Sequence, residues 1–116
     1  MTRRHGRFAG GGEHKLQQLC SQVEQVVGLA LGGAADMRLQ EVAVCGVVPA
    51  PDGTRLLVSV VPEQPSSWEQ LEALQVALER AKPWLRQQVA GEIHRKRTPD
   101  LVFSVLPYRT SSTRPP

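Results

Sequence analysis

The sequence predicts an α+β domain in which a three-stranded sheet packs against helices. Three observations carry this. Apolar residues recur at three- and four-residue intervals between Glu13 and Leu31 and again between Leu71 and Ile93. Two β-branched runs, VAVCGVV and LLVSVV, are separated by a short segment rich in turn-forming residues. A third apolar run, LVFSVL, follows Thr98-Pro99-Asp100. The resulting order is helix, strand, strand, helix, helix, strand, with no internal repeat to suggest a solenoid.

The first helix is expected over residues 13–31, with Leu16, Leu19, Cys20, Val23, Val26, Val27, Ala30 and Leu31 in one stripe and Gly32-Gly33 as its stop. Residues 1–12 are rich in glycine and arginine, poor in apolar groups, and expected to be disordered. GRFAGGG within them is not read as a phosphate loop, because no strand precedes it and no Lys-Ser/Thr pair ends it. AADMRLQ leads into a strand over Glu41–Val48, and Pro49-Ala50-Pro51-Asp52-Gly53 turns the chain into a second over Arg55–Val61, forming an antiparallel hairpin. Both strands are apolar at nearly every position, so helices should cover one face and leave the other thinly polar. Pro62–Ser67 breaks the second strand, Ser66 or Ser67 caps the next helix, Glu69 sits in its first turn and Trp68 opens its apolar stripe.

Within that helical region Leu71, Leu74, Leu78 and Ala81 keep one face, and Leu85, Val89 and Ile93 continue it. Between them stands Pro83, whose ring excludes the carbonyl four residues back and which has no amide to donate. Lys82 before it is pushed away from helical geometry. The reading is two short helices meeting at a kink of Ala81, Lys82 and Pro83; the alternative is that Pro83 simply occupies the first turn of the second helix. A bend exposes backbone amides, and Arg80, Lys82, Arg86, Arg95, Lys96 and Arg97 surround it. Cations beside free amides favour a polyanion, RNA above all. A last strand is expected over Leu101–Leu106, and residues 107–116 are polar, proline-rich and expected to be flexible.

The 116 residues suffice for one hydrophobic core, here assigned to residues 13–106. The net charge of +3 hides a segregation. All eleven acids lie within residues 13–106, while the two ends carry Arg3, Arg4, Arg7, Arg109 and Arg114. Between Arg80 and Arg97 the only acid is Glu92, whereas Glu63, Glu69, Glu72 and Glu79 gather upstream. A helix C-terminus accounts for one cation near Arg95 through the helix dipole; three in succession exceed that need. Arg38 could pair with Asp36 or Glu41, or meet phosphate. Aromatic residues are few, so base stacking falls to Trp84 beside the expected bend.

Other chemistries find little support. Cys20 and Cys45 form no CxxC pair and are read as buried free thiols; His5, His14 and His94 form no metal-ligand set. Serines 66, 67, 104, 111 and 112 have no partnered histidine, and no glycine-rich nucleotide loop sits between strand and helix, so no enzyme and no cofactor is expected. No apolar stretch approaches the roughly 20 residues of a membrane span, and the basic start lacks a signal-peptide core, so a cytoplasmic monomer is expected. The competing functional reading is a protein-interaction module whose acidic helix, residues 63–79, meets a basic partner.

Particular residues add a resemblance. RKRTPDLVF at 95–103, DMRL at 36–39 and ALERAKPWLR at 77–86 resemble, in order and spacing, the ribosome-binding factor A family. In that family DMRL corresponds to Asp-Pro-Arg-Leu, and an Ala-x-Gly bend replaces the GxxG loop of ordinary KH domains. Ala81 matches the alanine, Pro83 stands where glycine is usual, and SVLP after Phe103 replaces an acidic continuation. The resemblance implies a KH-like fold of type II, ordered α-β-β-α-kink-α-β. It also implies binding to the free small (30S) ribosomal subunit during late maturation of its 16S rRNA precursor, release before translation, and support of growth in the cold. Proline at the kink removes an anion-binding amide, so the side chains of Lys82 and Arg86 would carry more of any contact there.

Overall fold

The computed structural model describes the backbone of residues 3–108 and the side chains of residues 15–108. A helix α1 (Arg3–Gly32) leads through a one-turn helix α2 (Met37–Gln40) into strands β1 (Val42–Pro49) and β2 (Arg55–Pro62). A long helix α3 (Trp68–Glu92) and strand β3 (Asp100–Val105) complete the order. The sheet runs β1-β2-β3, with β1 antiparallel and β3 parallel to the central strand. The hairpin and all three strands stand within a residue or so of their expected bounds, because β-branched runs closed by Pro and Gly allow little else.

Strand alternation builds the core. Leu56, Val58 and Val60 of β2 point inward and are fully buried, joined by Leu101 and Phe103 of β3. Helix α1 contributes Leu19, Val23, Val27 and Leu31, spaced by four, and packs on β1; α3 contributes Leu74, Leu78, Leu85 and Val89 and packs on β3. The opposite sheet face carries the cross-strand row Val48–Leu57–Val102 beside Gly46–Ser59–Ser104, and no charged residue stands in either row. Its thin polarity is as expected.

Several expectations need correction. Helix α1 begins at Arg3 instead of Glu13, so the backbone of the expected disordered tail is helical up to residue 12. Glycines there weaken a helix by about 1 kcal/mol each, but no proline interrupts propagation from the buried stripe downstream. The expected C-terminal tail lies, beyond Tyr108, outside the described residues.

The kink is the larger correction. Ala81, Lys82 and Pro83 all lie inside one continuous α3. Pro83 is exposed, so the carbonyl of Glu79 that loses its donor faces water. Four buried side chains on one stripe, each worth about 1.5–3 kcal/mol, outweigh a proline cost of about 3 kcal/mol. No opened backbone is presented to a ligand at this point.

Ser67, of the two serines considered, is the N-cap: its hydroxyl accepts the Gln70 amide at 3.1 Å while Gln70 Oε1 accepts the Ser67 amide at 2.7 Å. Trp68 is 72% exposed, because the cap sets it on the outer side of the first turn instead of opening the apolar stripe. Cys20 is buried as expected but Cys45 is exposed. The ladder passes from Val44↔Val60 to Gly46↔Ser59, leaving Cys45 as the unpaired extra residue of a β-bulge that turns its side chain outward. Gly53 serves the hairpin by close approach, since a Cβ there would meet Leu16 Cδ1 at 3.2 Å.

Candidate nucleic-acid interface

Helix geometry sorts the predicted cations onto two surfaces. At 3.6 residues per turn, Arg80 and Lys82 point about 200° apart around α3. Arg80 and Trp84 lie on one flank of the buried stripe, and Lys82 and Arg86 on the other. Contacts agree with this division: Gln75, on the Lys82 flank, donates to the Phe103 carbonyl of β3 at 2.9 Å. The single cationic bend read from the sequence is therefore two separate sites.

On the β3 flank the paired cations come first. Lys82 Nζ lies 3.1 Å from Glu79 Oε1, a surface pair one helical turn apart and worth at most about 1 kcal/mol. Arg86 reaches off the helix to the chain that precedes β3. Its Nη2 donates to the Thr98 carbonyl at 3.3 Å and its Nε to the Pro99 carbonyl at 3.4 Å, with Asp100 Oδ1 3.9 Å away. Both roles differ from free phosphate contact, because each side chain is already engaged within the protein.

Arg95, Lys96 and Arg97 behave differently. All three are exposed, and among the described residues none has a carboxylate within ion-pair distance. Helix α3 ends at Glu92 with Ile93 as C-cap, so the three cations lie just past a helix C-terminus, where positive charge is favoured. Arg86 ties down the residue that follows them. The knot is thus a short exposed segment between two fixed points, the helix end and the Thr98–Pro99 clamp.

On the other flank, α3 faces the Gly33–Leu39 connection across a groove of about 690 Å³. Its walls are small and apolar, with Ala34 and Leu39 opposite Ala73, Ala77 and Ala81. Arg38, Arg80 and Trp84 line the rim, and Trp84 remains 36% exposed. Arg38 is committed to Asp36: its Nη2 lies 3.0 Å from Oδ2, its Nε donates to Oδ1 at 3.2 Å, and its amide donates to Oδ1 at 3.0 Å. Those bonds, the side-chain bond foremost, hold the Asp36 carboxyl below the usual carboxylate range. Of the pairings open to Arg38, the one with Asp36 is made. Arg80 is exposed without a carboxylate partner among the described residues.

Sequence reasoning singled out Arg38, Arg80 and Trp84 but not the groove that gathers them, which arises from packing between segments some forty residues apart. Nor did it find the Arg86 clamp on the Thr98 and Pro99 carbonyls. Among the described residues no group of three or more His, Cys, Asp or Glu could hold a metal ion, and no helix is long and apolar enough to cross a membrane.

Fold and site define a small α+β protein, one sheet covered by helices on a single face, with cations displayed on both flanks of α3. No family model matches the chain, and no curated protein matches it. Solved structures do. The crystal structure of ribosome-binding factor A from Thermus thermophilus is similar at 27% identity and a TM-score of 0.65, over 82% of this chain and 98% of that one. A homology model of the Thermus thermophilus factor, fitted into a cryo-EM map of a 30S–RbfA complex, is similar at 28% identity and a TM-score of 0.60, over 78% and 92%. These similarities support assignment of the chain to the ribosome-binding factor A family.

Proposed function

We propose that this protein binds the free small ribosomal subunit in the cytoplasm and assists late maturation of its 16S rRNA, holding RNA in place without catalysing a reaction. The fitted 30S–RbfA complex of the similar Thermus factor supports the partner. The observation that carries the mechanism is the exposed run Arg95-Lys96-Arg97, unpaired among the described residues and anchored by Arg86 at its downstream end. Cations free of internal carboxylates release counterions on meeting phosphate, whereas paired ones must first give up a partner. Arg95, Lys96 and Arg97 therefore make the principal backbone contacts, Arg80 adds to them from the other flank, and Lys82, Arg86 and Arg38 contribute mainly through what they hold. The fold is read as KH-like of type II, with the helix–kink–helix segment drawn out into one helix. Residues 13–106 act as the binding unit.

Co-sedimentation with purified small subunits tests this reading. A Lys96→Glu/Arg97→Glu chain should remain folded by circular dichroism and fail to sediment with the particle. Sedimentation equal to the parent would remove the knot from the interface.

A further inference from the structure

The groove on the α2 flank has features that phosphate binding alone does not require. Its floor is apolar, its rim carries an indole with a third of its surface open, and one helical turn from that indole stands the exposed Arg80 guanidinium, without a carboxylate partner among the described residues. We propose that this groove receives a single unpaired RNA base, seated on the alanine floor against Trp84, with its phosphate at Arg80. The proposal rests on the RNA-binding reading above and assigns a second, base-binding site to it.

The size and lining fit. At about 690 Å³ the groove lies within the range of about 300–1,000 Å³ usual for small-ligand sites, and its few polar groups stand at the edge, as such sites have them. Ala73, Ala77 and Ala81 recur every fourth residue and leave room for a flat ring that longer side chains would fill. An aromatic face gains about 1–3 kcal/mol per stacked base in single-strand recognition and discriminates little between bases.

Charge fixes the occupant and its direction. Asp36, the acid in the lining, is neutralised by Arg38, so the groove presents the net positive charge of Arg80. Beyond Ala73 the surface changes character: the adjoining depression contains Glu41 and Glu69, and its one cation, Arg38, is the one already paired with Asp36. Glu69 lies about 16 Å from Arg80 along the helix axis, so a phosphate is favoured at the Trp84 end and disfavoured at the other. A basic peptide would prefer the reverse, and an aliphatic side chain would leave Arg80 unanswered. Duplex RNA keeps its bases stacked inside and could not deliver one.

Trp84 reports on its own site. In the full-length Trp68→Phe chain it is the only indole. Titration with single-stranded hexa-adenylate should quench its emission, and a blunt RNA duplex at equal phosphate concentration should quench it far less. Trp84→Leu, which keeps an apolar side chain, and Arg80→Gln, an exposed change, are read by competition against labelled hexa-adenylate. The stacking energy predicts about 5- to 150-fold weaker binding for Trp84→Leu, while Trp84→Phe should recover most of it. Unchanged Trp84 emission with hexa-adenylate, or unchanged affinity of Trp84→Leu, overturns the base site. If the Trp68→Phe chain still sediments with small subunits in that case, the ribosomal reading survives and only the groove assignment falls. Quenching by isolated ribosomal proteins with none by naked RNA would give the groove to a protein and equally overturn the proposal.

Discussion

The guanidinium of Arg86 donates to the carbonyl oxygen of Thr98 at 3.3 Å, so a helix residue fixes the chain immediately after the basic knot. A cation that looks like a phosphate ligand in the sequence is spent on holding backbone. The consequence separates charge from geometry. Arg86→Lys keeps the charge but loses the planar fork that reaches both Thr98 and Pro99. Subunit affinity should fall about 2- to 12-fold, the cost of one hydrogen bond at about 0.5–1.5 kcal/mol, while the dependence on salt keeps its slope. Were Arg86 a direct phosphate contact, Arg86→Gln would flatten the salt dependence by about 0.7–0.9, whereas a clamp leaves the slope unchanged.

Pro83 offers a second test, of helix continuity. Inside a helix, proline is about 3 kcal/mol less favourable than alanine, partly offset by the stiffness it lends the unfolded chain. Pro83→Ala should therefore raise the urea midpoint, by about 1–3 kcal/mol in stability. A second helix beginning at Pro83 would instead make the change neutral or harmful.

The two thiols should react in sequence. Cys45 stands exposed on its bulge, with its Sγ donating to the Ser59 carbonyl at 3.3 Å, and should react at once with an aromatic disulfide reagent. Burial raises the Cys20 thiol above its ordinary range, so it should react only as the chain unfolds. Because the folded thiol holds its proton more tightly, this contribution to stability is complete below the unfolded pKa and is lost as pH rises beyond it. A Cys20→Ala chain should lose stability less steeply on the alkaline side.

Acid should act on Asp36. Its folded pKa is depressed, so its contribution is present above the unfolded value and lost as pH falls through the folded one. Asp36→Asn should melt below the parent near about pH 7, and the two should converge as pH falls below the ordinary carboxylate range. The same change frees Arg38 at the groove rim and should strengthen RNA binding at neutral pH.

What the sequence could reveal follows from the range of the interactions. Strands declared themselves through local runs such as VAVCGVV, and the start of α3 through Ser66-Ser67, with the choice of Ser67 made by the Gln70 side chain in the structure. The resemblance carried by RKRTPDLVF, DMRL and ALERAKPWLR pointed to the family that the solved structures support. Pro83 misled because its local penalty was given more weight than the apolar stripe of Leu74, Leu78, Leu85 and Val89, which the sequence also displays on both sides of it. Cys45 misled because a bulge shifts alternation by one residue, and Gly46 beside it was not read as the sign of that bulge. The α2 groove and the Arg86 clamp join distant segments, so composition shows their parts without their meeting.

Binding to small subunits as a function of salt addresses the central claim most directly. Each phosphate contact contributes about −0.7 to −0.9 to the slope of log affinity against log salt. Lys96→Gln/Arg97→Gln should flatten the parent's slope by about 1.5 and weaken binding most at low salt. An unchanged slope, whatever the change in affinity, would contradict the account, since it would mean that these two cations meet no phosphate.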